Sequence, residues 1–126
     1  MPQQKGLVWA MTVIELLAGL GLLLVPGFAL NALLGTADPA AETLGVSRLA
    51  GVALIAIGVM CHSGRQGPLS WWVLAGMLVY NAGAAAVLGL IGAGLGLAGP
   101  LLWPAVILHA GLTLWVLISL RTVAHP

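Results

Sequence analysis

Four stretches of this chain, residues 6–25, 39–62, 68–91 and 103–121, are apolar over lengths that match a bilayer. A hydrocarbon core of about 30 Å needs roughly 20 helical residues to cross it. Each run is read as a membrane-spanning helix, so the expected fold is all-α: a four-helix transmembrane bundle within a single integral membrane domain, residues 1–126.

Composition agrees. The chain has 126 residues, 61% hydrophobic and 6% charged. A soluble domain charges about a quarter of its residues, so this one cannot coat itself for water. The net charge of +1 makes no electrostatic case for nucleic acid. The first apolar run is longer than a signal-peptide core and lacks a small-x-small cleavage site, so it is read as a retained helix. Cys61 is the single cysteine, which excludes an internal disulfide.

Local signals set the expected boundaries. Pro26-Gly27 is a helix-stopping pair, and "FALNALLG" after it reads as a short amphipathic segment at the interface. Asp38-Pro39 reads as N-cap and first helical residue, with Glu42 complementing the positive helix end. Pro68 opens the third span, the Gly-rich "GAGLGLAGP" closes it, and Trp103-Pro104 opens the fourth.

Lys5, Arg65 and Arg121 fall on one side, with His62 and His125. The positive-inside rule then places both termini in the cytoplasm of a multi-pass protein in a bacterial-type inner membrane. A reporter fused to the C-terminus should give a cytoplasmic signal, and a periplasmic one would reverse the orientation. Trp9, Trp71 and Trp72 form the expected cytoplasmic aromatic belt, with Trp103 on the far side and Cys61 a free thiol. "VSRLAGVAL" (46–54) and "VILHAGLTL" (106–114) share Val, Ala-Gly and Leu at equal offsets, which raises the alternative of two helical hairpins in tandem.

Four strongly polar side chains fall inside the spans: Glu15, Arg48, Asn81 and His109. Such groups cost about 2.5–3.5 kcal/mol each when charged at the bilayer centre and turn inward to partners. At 1.5 Å per residue, Asn81 and His109 lie near ~18 Å from the cytoplasmic edge, Arg48 near ~21 Å and Glu15 near ~12 Å. Arg48 shares a wheel face with Gly51, and Ser47 and Gly51 form a small-xxx-small pair for helix approach. "NAGAAA" from Asn81 reads as a smooth surface for tight packing, and Tyr80 beside it as packing. The expected ligand-binding set is therefore Glu15, Arg48, Asn81 and His109. Arg48 would hold an anionic or carbonyl group, Asn81 and His109 would hydrogen-bond it, and Glu15 would balance charge or carry a proton.

No catalytic residue or metal ligand is assigned, and the sequence identifies no cofactor. Bis-histidine haem needs a second histidine at the depth of His109, and His62 is not there. Met60, Cys61 and His62 are soft-ligand types, but helical neighbours point about 100° apart. The glycine string at 89–99 lacks the Lys and Ser/Thr of a phosphate loop.

With Glu15 in the first helix, the chain resembles the small multidrug transporters in length, topology and that residue, which implies proton-coupled exchange of cationic compounds. It also resembles small bacterial four-helix membrane proteins of unknown function. The shared features are Arg48/Gly51, Tyr80-Asn81 and Trp103-Pro104 followed by His109. The leading functional expectation is a polar site inside the bundle for a small or lipophilic ligand. The alternative is an accessory subunit of a larger membrane complex or a homo-oligomer, with the same residues as glue between helices. A membrane-embedded enzyme, for instance one moving a proton on a lipid-like substrate, or a proton-coupled transporter, comes third.

Overall fold

The computed structural model describes residues 2–63 and 70–123. All the regular structure among them is helical: α1 (Pro2–Leu24), α2 (Pro26–Leu34), α3 (Ala41–Ser63), α4 (Trp71–Leu95) and α5 (Leu102–Leu120). The four long helices are long and apolar enough to cross a membrane. They form a four-helix bundle with a fifth, short helix. Large apolar side chains such as Leu17, Phe28, Val79 and Ile107 face outward, each at least 66% exposed. In water that surface would aggregate; in a bilayer it is the solvated one.

Pro26 does not end the helical path; it turns it. The proline has no N–H to donate and pushes Val25 out of helical geometry. It then serves as the first residue of α2. α2 ends at Gly35, whose φ of +72° suits only a residue without Cβ and whose N–H bonds Asn31 O at 2.8 Å. α3 starts at Ala41, two residues beyond the expected Pro39, and Asp38 is exposed ahead of it. Arg65, Pro68 and His125, which carried parts of the expected topology, lie outside the described residues. α4 continues about a turn past residue 91 to Leu95, stopping at Gly96 with φ +66°. A helical glycine costs about 1 kcal/mol, whereas unsatisfied backbone in lipid costs several, so the helix tolerates Gly92 and Gly94.

The bundle is two hairpins. α1 packs along α3 and α4 along α5, and contact between the pairs is sparse. Glycines explain the first pair. A Cβ on Gly19 would lie 2.8 Å from Gly51 O, and one on Gly51 would lie 2.7 Å from Gly19 O. The two backbones therefore touch, the close approach that small residues permit between membrane helices. Gly111, the counterpart of Gly51 in the repeated "AG", has open space around it. The sequence echo thus marks the second long helix of each hairpin but not a shared packing role. Nor does "NAGAAA" pack as expected: Ala82, Gly83 and Ala86 are exposed, and Asn81 alone of the six is buried.

Two seams join the hairpins. At the end holding the termini, Leu7, Val8, Met11, Cys61, Leu74, Met77, Leu112 and Val116 form a continuous core. Gln4 Nε2 donates to Thr122 Oγ1 at 2.9 Å there, so Lys5 and Arg121 sit at the same end. At the other end, the N–H groups of Gly99 and Leu101 donate to Leu33 O (3.1 Å) and Ala32 O (2.9 Å) of α2. Gly99 has no room for a side chain, since a Cβ would collide with Ala32 O.

Candidate functional site

Between the seams the hairpins stand apart and leave a cavity of about 540 Å3. Small residues make the space: Ala18 on α1, Ala50 on α3, Ala84 on α4 and Ala105 on α5 all line it. The walls are apolar apart from Glu15, Tyr80 and His109. These three lie together at the end nearer the core, while Leu22, Leu33, Leu88 and Leu101 line the end under α2. From Glu15 to Leu22, or from His109 to Leu101, is roughly 10–12 Å of helix. The cavity is an apolar shaft with a polar floor.

The floor is built from inside outward. Asn81 is completely buried, and its Nδ2 donates to Met77 O at 2.8 Å, which orients the amide. Its Oδ1 is then left to accept, and His109 Nδ1 lies 2.9 Å away. Nδ1 must therefore carry the hydrogen, and the neutral ring keeps its lone pair on Nε2. The Tyr80 ring meets the His109 ring edge-on at 5.7 Å between centroids. Asn81 stands behind the floor and sets the histidine tautomer.

Glu15 is fully shielded from solvent. Among the described residues, neither carboxyl oxygen has a hydrogen-bond partner of normal geometry, though the Tyr80 hydroxyl faces the group. An orphaned buried acceptor costs about 1–3 kcal/mol, more if charged. Native interiors carry few such groups, and each calls for an explanation.

Arg48 is not at the floor. It is exposed on α3 and does not line the cavity. Ser47 and Gly51 are the buried residues of that stretch. Gly51 O is pressed against α1, which turns Ala50 and Leu54 to one side of the contact, into the cavity, and Arg48 to the other. The charge compensation expected between Arg48 and Glu15 is not made. Arg48 lies seven residues into α3, about 10 Å, and its long stem lets the guanidinium snorkel toward the α2-side boundary. So Glu15, Asn81 and His109 come together, Arg48 does not, and Tyr80, read from the sequence as packing, completes the set. The available signal for Tyr80 was its spacing: Ala84, Val87 and Leu88 follow it on one helical face.

Cys61 turns inward, with its thiol donating to Met77 Sδ at 3.5 Å, while Met60 and His62 are exposed. The three soft ligands diverge as their spacing requires.

No protein-family model matches the chain, and no curated protein or solved structure matches it. The two resemblances drawn from short motifs gain no support from these comparisons.

Proposed function

We propose that this membrane protein binds a small lipophilic molecule in the cavity between its two hairpins. One observation carries the reading: an apolar cavity of about 540 Å3 has in its lining a buried carboxyl group with no hydrogen-bond partner of normal geometry among the described residues. The volume is that of small-molecule sites, which run from about 300 to 1,000 Å3 with mostly apolar walls and a few convergent polar groups. Enclosed and empty, a void of this volume would cost roughly 13 kcal/mol at about 24 cal/mol per Å3. An apolar occupant removes that cost. Asn81 and His109 pair with each other, whereas Glu15, which lines the cavity, is left over.

Photolabelling in vesicles tests this. Decanol carrying a diazirine at its tail should label Leu22, Leu88 or Leu101 saturably. Ala84→Phe, which fills the cavity from α4, should abolish that labelling. Val79 on the outer face of α4 should label in proportion to probe concentration in both proteins. Cavity labelling no more saturable than that of Val79 would mean that only bulk lipid enters.

A further inference from the structure

The floor selects the ligand's polar end, and we infer that it takes a neutral lipophilic alcohol or phenol, head first, with the hydroxyl near the bilayer midplane. This rests on the cavity being a ligand site and goes on to what fills it.

The floor is complementary to a hydrogen-bond donor. The Asn81 carbonyl consumes the Nδ1 hydrogen of His109, so Nε2 offers a lone pair. Glu15 carries at least one acceptor oxygen in either protonation state, and neither oxygen has a hydrogen-bond partner of normal geometry among the described residues. Tyr80 can give or take. A floor rich in acceptors is completed by a donor. An ether or ester oxygen can accept from Tyr80 but brings no hydrogen for the His109 Nε2 lone pair or the Glu15 acceptor oxygen, whereas a hydroxyl does.

The floor also lies deep in the membrane. Within the span Gln4–Leu24, Glu15 is eleven residues from one end and nine from the other, roughly 14–16 Å from either boundary. A phospholipid cannot place its ionic headgroup there without losing its hydration. A single hydroxyl loses far less, and the floor gives it new partners. The apolar body then lies along the shaft toward α2, the reverse of a membrane lipid in the same leaflet.

Charge works against an ammonium head. Tyr80 is the one Phe, Tyr or Trp among the residues lining the cavity, whereas recognition of a quaternary ammonium uses a cage of several such rings. A primary ammonium would give up its hydration near the bilayer midplane at far greater cost than a hydroxyl. Lining and depth together favour an uncharged donor.

The test compares three decyl probes in vesicles, each with a diazirine next to the head: decanol, its methyl ether and decylammonium. Decanol should label Glu15 or Tyr80 with about tenfold lower half-saturation than the ether, the size of one hydrogen bond to a strong acceptor. The ammonium should label no better than the ether. In Glu15→Leu, which removes an unpartnered buried group and so should not destabilise the fold, the preference should shrink to about threefold or less. Thermal unfolding of the same sample verifies that the variant is folded. If alcohol and ether label the floor equally, the head assignment is overturned while the cavity remains a binding site. If the ammonium labels best, the head is a cation and the assignment is again overturned. If no probe labels floor or walls saturably, the binding reading itself has failed.

Discussion

Gly51→Leu should lower the unfolding temperature of the purified protein more sharply than a leucine at any exposed or half-buried position of α3. The added Cβ alone would stand 2.7 Å from Gly19 O and 2.8 Å from Leu23 N, both backbone atoms of α1. Neither can move aside without displacing the helix, so the strain falls on the whole α1–α3 seam. Overpacking costs about 1–3 kcal/mol in typical cores, and a backbone-to-backbone contact puts this site at or above the upper end. Gly58→Leu should be milder, because its nearest obstacle is the Leu16 side chain, which can change rotamer. Gly111→Leu is the matched control: it occupies the equivalent place in the repeated motif but meets nothing within 4 Å. It should leave stability unchanged or raise it slightly, since leucine is the better helix former. Equal losses at Gly51 and Gly111 in thermal unfolding would show that the two hairpins pack alike, and the cavity between them would have to be redrawn.

The second large effect belongs to Asn81. Asn81→Leu removes the acceptor of the His109 Nδ1 hydrogen and leaves that donor buried and unpaired. The expected cost is about 1–2 kcal/mol, the upper range for an interhelical hydrogen bond in a membrane protein. His109→Leu should cost about the same, since it strands the Asn81 carbonyl. The double variant should cost clearly less than the sum, because it removes both partners at once. Strict additivity in a thermal double-mutant cycle would show that the two side chains do not depend on each other. Asn81→Leu has a further consequence at the floor. Without the amide, either ring nitrogen of His109 can hold the hydrogen, so the preference for a hydroxyl head over its methyl ether should weaken even in protein that remains folded.

The membrane class, the count of long spans and their approximate limits were legible in the sequence. Lipid allows few solutions, and a run of about 20 apolar residues has to satisfy its own backbone. Glu15, Asn81 and His109 were legible for a related reason: a polar group in hydrocarbon is conspicuous wherever it points. Direction was harder. Arg48 was placed inward by its spacing from Gly51, but at 100° per residue a wheel leaves open which flank of a buried residue meets the neighbour. The contact of Gly19 with Gly51 settled that, turning Ala50 and Leu54 into the cavity and Arg48 away. Small residues were ambiguous in the same way. Between Gly19 and Gly51 they bring backbones together, whereas Ala18, Ala50, Ala84 and Ala105 leave a volume unfilled. Composition cannot separate these cases, because whether a missing side chain becomes a contact or a cavity depends on where the opposing helix stands. Tyr80 joined the site on the same terms. Its ring is ordinary in an apolar helix, and only the approach of α1 and α5 sets it beside the Glu15 carboxyl group and the His109 ring.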